Sequence, residues 1–265
     1  METPDELGLA ETFKALKVTR EAAEAREIPI ATEVPFTIQA NETELSTLMC
    51  SPGDLQELTY GFLFTSGFIA AADEVASYSL DRRKWLATVQ MKNDPDPAIL
   101  NKRLYTSGCG KGVMYSSINE ISSRTPLAEG VSVTKETVLG LMKWFQTSSP
   151  LHKETRGVHT AAISRNGNKP EIRIDDVGRH NAVDKVIGKA LMEGYDLTQC
   201  LLVGTGRISS EILHKAKKCG IAMIVSLGAP THQALLLAGV MKVTIVSFAK
   251  GSSFSVFTHP ERIAT

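Results

Sequence analysis

In the second half of the chain, the spacing of hydrophobic positions switches repeatedly between that of a strand and that of a helix. This pattern predicts alternating strands and helices. Five short runs have the apolar or two-residue pattern of strands: residues 158–164, 172–174, 200–203, 223–226 and 243–248. Three longer segments between them space their apolar side chains as a helix does: residues 181–193, 209–218 and 231–240. This order predicts a three-layer α/β domain with a mixed sheet.

The first half predicts a smaller α+β unit. Residues 34–38 and 44–49 have strand character, and Pro52 with Asp54 opens a helix that Gly67 is placed to end. Three further elements are expected: strands at 75–80 and 85–91, and a helix at 135–147 capped by Thr134. The buried face of that helix is predicted to be Val138, Leu141, Met142 and Phe145. No motif marks the first residues, which have the composition of an acidic helical or frayed arm.

We therefore divide the chain into three parts. Residues 1–27 form the arm, residues 28–133 form the small α+β unit with a loop around Cys109, and residues 134–265 form the α/β domain with the candidate binding site. At 265 residues the chain is long enough to bury a sizeable core.

Composition indicates an ordinary globular protein, with 43% apolar and 22% charged residues and a net charge of zero. The charge is unevenly placed, because residues 201–265 hold seven Lys and Arg against two acids. A basic C-terminal quarter suits an anionic ligand, although solvated helix faces give the same count. The acidic N-terminus has no apolar core segment, so we expect no signal peptide, and no apolar run approaches the roughly 18 residues of a membrane span. We expect a cytoplasmic protein with no nucleic-acid or membrane partner.

Four cysteines are too few and too scattered for a disulfide framework or a zinc cluster. Cys50, Cys200 and Cys219 fall in or beside predicted elements, where a free cysteine is usually a small buried hydrophobe. Cys109 instead lies between glycines in a polar segment, and Lys111 would favour its thiolate. Cys109 is therefore the candidate nucleophile.

The segment between the strand at 172–174 and the next helix concentrates polar residues. Asp175 and Asp176 are followed by Gly178, Arg179, His180 and Asn181. We predict that Asn181 caps the helix and that the acid three residues later reaches back to the cap. A helix start beside basic side chains suits an anion, most simply a phosphate. The alternative is a capped helix whose charged loop is only solvated.

Two more strand-to-helix loops share this character. One contains Gly204, Gly206 and Arg207 before Ser209, and the other runs over residues 228–231 to Thr231; both end in residues that cap helices. Ligands of open α/β sheets bind in the crevice at the carboxyl ends of the strands. The three loops together predict an anion-binding crevice.

The run Asp176-Val-Gly-Arg-His-Asn-Ala-Val-Asp-Lys185 resembles the signature of the formate dehydrogenase accessory sulfurtransferase (FdhD) family. Further segments resemble the family in the same order: residues 33–38, 61–64, 157–162, 206–211, 229–231 and 257–263. The resemblance implies a cytidine deaminase-like C-terminal fold. It also implies a homodimer that passes persulfide sulfur from a cysteine desulfurase to the molybdenum bis(molybdopterin guanine dinucleotide) cofactor of formate dehydrogenase.

The resemblance implies roles for individual residues as well. Cys109 would carry the persulfide, and GDP would mimic a fragment of the cofactor. The implied cofactor-binding residues are His159, Asp176, Gly178, Arg179, His180, Asn181, Asp184, Lys185, Gly206, Arg207, Phe248, Ala249, Lys250, Gly251, Ser252 and Ser253. The chain departs from the family at one point, because many members have Cys-x-x-Cys where this loop has Cys109 alone.

Two alternatives follow from these features. A zinc-dependent deaminase needs His-x-Glu and a cysteine pair, but His159 is followed by Thr160 and Ala161, and no cysteine pair exists; we expect no metal. A chaperone that binds the cofactor without moving sulfur is the second alternative, and the missing cysteine is its best support.

Overall fold

A computed structural model describes residues 7–94, 103–105, 113–115, 126–127 and 130–264. Cys109 and the glycines beside it lie outside the described residues.

The described chain begins with an exposed hairpin, where the sequence led us to expect a helical or frayed arm. Strands β1 (Ala10–Val18) and β2 (Ala23–Ala31) pair antiparallel. Lys14 lies opposite Glu27 and Lys17 opposite Glu24, so the charges that indicated an acidic arm form complementary cross-strand pairs. The expectation of a helical or frayed arm is therefore wrong for residues 10–27.

The small α+β unit matches its prediction. Strands β3 (Val34–Ala40), β4 (Thr43–Cys50), β5 (Val75–Asp81) and β6 (Leu86–Met91) form a sheet of order β4-β3-β6-β5. Helix α1 (Leu55–Thr65) packs on it and is followed by Gly67 with φ of 83°, a left-handed conformation that suits glycine after a helix. A 3₁₀ turn spans Ala72–Glu74, and β7 (Arg103–Tyr105) pairs with β8 (Val113–Tyr115).

The second half alternates strands and helices as predicted. Its first elements are β9 (Val133–Thr134), α2 (Lys135–Phe145), α3 (Pro150–Thr155), β10 (His159–Arg165), β11 (Ile172–Asp176) and α4 (Arg179–Met192). A 3₁₀ turn (Leu197–Gln199) precedes β12 (Cys200–Gly204), α5 (Ser210–Lys218), β13 (Met223–Ser226) and α6 (His232–Met241). The chain ends with β14 (Thr244–Lys250), β15 (Ser253–Thr258), a 3₁₀ turn (Pro260–Arg262) and β16 (Ile263–Ala264).

Six of these strands form one mixed sheet between two helical layers. Its order is β11-β10-β12-β13-β14-β15, in which β12, β13 and β14 run parallel and the other neighbours are antiparallel. Alternate residues face opposite cores: Leu202 packs in the core shared with α1, α4, α5 and α6, whereas Leu201 and Val203 pack with α2. The first core also includes the four-stranded sheet, so it joins the predicted small unit to the α/β domain.

Strand register brings the polar loops to one edge of the sheet. His159 pairs with Asp176, and Ala161 pairs with Gly204. The parallel strands β12, β13 and β14 end at this same edge, as the carboxyl ends of parallel strands must. The predicted crevice loops therefore lie side by side.

Helices α1 and α4 cross with their backbones in close contact at two glycines. A Cβ added at Gly188 would lie 1.9 Å from the carbonyl oxygen of Glu57, and one added at Gly61 would lie 1.8 Å from that of Asp184. Backbone atoms cannot move aside as a flexible side chain can. Only glycine fits at this crossing without separating the helices.

We expect Gly188→Ala to lower the free energy of unfolding by roughly 1–3 kcal/mol, because the methyl group must push the two helices apart. Gly140→Ala in α2 is the matched control: nothing lies within 4 Å of its added Cβ. That change should be neutral or stabilising, by up to about 1 kcal/mol, because alanine favours helix. Urea unfolding measures both, and equal stability of the two variants would contradict the packing argument.

Candidate functional site

A small cleft of about 20 Å³ opens at the carboxyl edge of the sheet. Its mouth is formed by Arg179, Arg207 and the glycines at 204 and 206, and apolar side chains including Val183 and Ile212 line its interior. Three helices, α4, α5 and α6, begin at this edge. Their unpaired N–H groups and positive dipole ends favour an anion at the mouth.

Gly178, rather than Asn181, is the N-cap of α4. Its φ of −101° and ψ of 120° are extended, and its position has no side-chain cap. Asn181 lies inside the helix, and its amide donates to the carbonyl of Met49 at 2.7 Å and to Asp176 Oδ1 at 3.1 Å. The prediction that Asn181 caps the helix is wrong because its side chain is engaged elsewhere. The helix start consequently offers its N–H groups without a competing side-chain cap.

Asp176 and Lys185 form an ion pair that is wholly buried. Lys185 Nζ lies 2.6 Å from Asp176 Oδ2, and both side chains are 0% exposed. Lys185 also donates to the carbonyl of Ser51 at 3.0 Å, and Asp176 accepts from the N–H groups of Ser51 and Gly178. Both residues were predicted to bind cofactor. Because both side chains are buried and neither lines the cleft, they stabilise the loop from inside the protein.

The carboxylate of Asp184 is also buried and makes its contacts within the protein. Its carboxylate lies 2.7 Å from Lys215 Nζ and accepts from the hydroxyl of Thr65 at 2.8 Å. It was predicted to reach back to the helix cap and to contact cofactor. Because its partners come from α1 and α5, it ties three helices together instead. The signature sequence thus contains one buried ion pair, Asp176 with Lys185, and supplies the acid of a second, Asp184 with Lys215.

Close packing of the loops shapes the mouth of the cleft. The side chain of Arg179 lies against Gly206, where an added Cβ would be 2.9 Å from the Arg179 Cβ. Gly228 packs against the backbone of Gly206, and its added Cβ would lie 2.6 Å from the Gly206 carbonyl oxygen. Ser226 Oγ is 2.6 Å from that same oxygen. Of the predicted glycines, Gly206 therefore makes room for Arg179, whereas a Cβ added at Gly204 would make only ordinary contact, 4.0 Å from the Thr160 carbonyl oxygen.

Ser209 and Thr231 cap their helices as predicted. Ser209 accepts from the N–H of Ile212, and Thr231 accepts from that of Ala234. Thr134 likewise caps α2. These three caps were predicted correctly because each is a hydroxyl residue directly before an apolar helical repeat.

The imidazole of His180 contributes no positive charge to the cleft. Burial, with Lys215 and Arg179 nearby, lowers the pKa of His180 to about 2. Its Nε2 lies 3.2 Å from Glu211, whose pKa is raised by burial. A neutral imidazole makes this contact a hydrogen bond rather than an ion pair. The charge at the mouth comes from arginine.

His159 is held at the edge of the sheet by a polar network. Its Nδ1 lies 3.2 Å from Thr205 Oγ1, which also accepts from the N–H of Thr160. Thr160 donates to Asp175, which pairs with Arg173 at 2.8 Å. Burial, and then the nearby Arg179, lowers the pKa of His159, so it too is neutral near pH 7. Sequence reasoning missed Thr160, Thr205 and Glu211, although Glu211 ends one of the matched motifs.

Residues 248–253, which the resemblance assigns to cofactor binding, form the turn of the β14–β15 hairpin at the same edge. Phe248 is 51% exposed and left-handed, with φ of 54°. Its ring lies 5.9 Å from that of Phe257. Lys250, Ser252 and Ser253 are exposed, and Gly251 forms the turn. Ala249 alone is buried, and its carbonyl accepts from Gln146.

The three described cysteines are buried, as predicted. Burial raises the pKa of Cys50 to about 12 and that of Cys200 to about 11, and it raises the pKa of Cys219 as well. Each thiol is therefore protonated at neutral pH and shielded from a second protein. The prediction for Cys109 lies outside the described residues.

Two further features are absent from the described part of the chain. No group of three or more His, Cys, Asp or Glu there is arranged to hold a metal ion. No helix there is long and apolar enough to cross a membrane.

The fold and the cleft define a mixed α/β protein with two arginines lining a cleft at the carboxyl edge of its sheet. Residues 31–264 match the FdhD/NarQ family, and the chain belongs to that family. This confirms the resemblance inferred from the signature around Arg179 and the motifs that flank it.

Relatives and a solved structure agree with this assignment. The chain is 39% identical to the sulfur carrier protein FdhD of Staphylococcus haemolyticus, over 88% of each chain. It is 35% identical to the protein of the same name from Bacillus subtilis, over 88% of this chain and 90% of that one. A crystal structure of a protein described as a formate dehydrogenase accessory protein, from Desulfotalea psychrophila, superimposes with a TM-score of 0.78 at 26% identity. That match covers 97% of this chain and all of the other.

Proposed function

We propose that this protein is a sulfur carrier needed for formate dehydrogenase activity. It takes persulfide sulfur from a cysteine desulfurase and delivers it to the molybdenum bis(molybdopterin guanine dinucleotide) of the dehydrogenase. The observation that carries the proposal is the cleft at the sheet edge, where Arg179, Arg207 and the starts of α4 and α5 converge in a member of the FdhD/NarQ family. The cofactor is cargo here rather than a resident group.

The groups at this edge suit the pyrophosphate of a guanine dinucleotide. Arginine donates charge-assisted hydrogen bonds to phosphate, and the uncapped start of α4 offers backbone N–H groups. His159 and His180, being neutral, add hydrogen bonds without charge. The hairpin of residues 248–253 would close the outer side with Phe248 and Lys250. Asp176, Asp184 and Lys185 support the site from within.

Cys109 would carry the sulfur. Its thiolate attacks the outer sulfur of the desulfurase persulfide, a new S–S bond forms on Cys109, and the desulfurase cysteine leaves as a thiolate. A single cysteine suffices for this step. The buried thiols at 50, 200 and 219 cannot compete, because they are protonated and enclosed.

We expect Arg179→Ala to weaken GDP binding about tenfold to hundredfold, the cost of losing one charge-assisted contact to phosphate. Calorimetry with GDP measures the affinity. Arg165→Ala is the control, because Arg165 lies at the other end of β10, paired with Glu171. That variant should bind GDP like the parent protein. Unchanged affinity in a folded Arg179→Ala protein would remove Arg179 from the site.

A chaperone that delivers cofactor without moving sulfur is the second candidate, favoured by the lone cysteine in the loop. Labelled cysteine supplied through a desulfurase separates the two functions. A carrier accepts the labelled sulfur, whereas a chaperone leaves it on the desulfurase.

We further infer the finer properties that the resemblance implies: a cytidine deaminase-like C-terminal domain, a homodimer and a cytoplasmic location. Light scattering of the purified protein tests the homodimer, and a single-chain mass would contradict it.

A further inference from the structure

The buried half of the signature sequence contacts the small α+β unit. Asp176 and Lys185 have no exposed side-chain surface, so they cannot meet a ligand that enters from solvent. Their common partner is Ser51, a fully buried residue directly after β4. Asn181 reaches the same segment through the carbonyl of Met49.

Ser51 uses three of its groups in this contact. Its N–H donates to Asp176 Oδ2 at 3.1 Å, and its carbonyl accepts from Lys185 Nζ at 3.0 Å. Its hydroxyl oxygen accepts from the N–H of Val177 at 3.1 Å. Backbone groups make the first two contacts, so only the third depends on the residue being serine.

The third contact fixes the residue that leads into the anion-binding helix start. Val177 lies between Asp176 and Gly178, and Gly178 is the N-cap that precedes Arg179. Asp176 Oδ1 accepts from the Gly178 N–H at 2.7 Å, so consecutive N–H groups of the loop are both held from the buried side. The direction of the first turn of α4, and with it the place of Arg179, follows from these two bonds.

We propose that Ser51 is a positioning residue for the anion site: its hydroxyl holds Val177 so that the start of α4 and Arg179 are aimed at a phosphate. The inference rests on the proposed function, because the phosphate ligand is the one proposed above. Ser51 belongs to the small α+β unit, whereas the residues proposed to contact the phosphate all come from the α/β domain. Through Ser51, the small unit therefore helps to form the site.

Ser51→Ala tests this role with GDP and guanosine as probes. One neutral hydrogen bond supports the loop, so GDP affinity should fall about threefold to tenfold. Guanosine, which lacks phosphates, should compete for the cleft equally well in both proteins. A general loss of structure would instead weaken the binding of both GDP and guanosine.

Ser164→Ala is the matched control. Ser164 is also fully buried, and its hydroxyl donates to the Asn168 carbonyl at 2.6 Å near the opposite end of β10. The Ser164→Ala protein should bind GDP like the parent protein, even if its unfolding temperature falls. Ser51→Thr keeps the hydroxyl and should return GDP affinity to within about twofold of the parent.

The outcomes separate the two proposals. A parent protein that binds no GDP would refute the proposed ligand. A parent that binds GDP, with Ser51→Ala folded and equal to it, would overturn the role of Ser51 alone. Should Ser51→Ala not fold, Ser51→Cys takes its place, because a thiol is a weaker acceptor. GDP affinity lower in Ser51→Cys than in Ser51→Thr supports the inference, and equal affinity contradicts it.

Discussion

Cys109→Ser is expected to abolish activation of formate dehydrogenase while leaving the fold and GDP binding intact. A serine hydroxyl cannot form a persulfide, and no second thiol is placed to replace Cys109. The three described cysteines are buried, and their pKa values are raised, to about 12 for Cys50 and about 11 for Cys200. Dehydrogenase activity in cells that lack their own accessory protein measures the effect.

Cys200→Ala is the control for that experiment. Cys200 is 1% exposed within a central strand, and its thiol donates to the Asp196 carbonyl. We expect full activation of the dehydrogenase with a modest loss of stability. A Cys109→Ser protein that still matures active dehydrogenase would contradict sulfur transfer and favour the chaperone function.

Lys185→Met is expected to lower the free energy of unfolding by about 3–5 kcal/mol. The substitution leaves the carboxylate of Asp176 buried without its cation, and an uncompensated buried charge is strongly destabilising. It also removes the bond from Lys185 to the Ser51 carbonyl. Urea unfolding measures the change.

Lys84→Met provides the comparison, because Lys84 pairs with Asp81 at the surface, where the two side chains are 74% and 43% exposed. Such pairs contribute at most about 1 kcal/mol. The double variant Asp176→Leu with Lys185→Met should recover part of the loss, since both charges are gone. Equal unfolding midpoints for Lys185→Met and Lys84→Met would contradict the expectation that breaking the buried pair costs more stability than breaking the surface pair.

Local sequence patterns predicted most of the fold, because its helices are amphipathic and its strands are apolar. The strand Met223–Ser226 and the buried face of α2 were both predicted correctly. The N-terminal hairpin was not, because its alanines and alternating charges also suit a helix. Its strands are specified by cross-strand pairing between residues as far apart as Ala10 and Ala31, which a local pattern does not report.

The sequence predicted that the polar loops lie together, but not which of their residues are buried. Register alone brings His159, Asp176 and Gly204 to one edge, as the strand order implied. Charged residues at 176, 184 and 185 were assigned to the ligand because they lie in the segment that resembles the family signature. Asp176 and Lys185 neutralise each other and both contact Ser51, and Asp184 pairs with Lys215. Ser51 and Lys215 are distant in sequence, so only the folded structure shows these contacts.

The most direct test of sulfur transfer is mass spectrometry of the protein after incubation with a cysteine desulfurase and cysteine. We predict that the peptide containing Cys109 gains the mass of one sulfur atom, that a reducing agent removes it, and that peptides with Cys50, Cys200 and Cys219 stay unchanged. An unmodified Cys109 peptide, under conditions in which the desulfurase itself carries persulfide, would contradict the account.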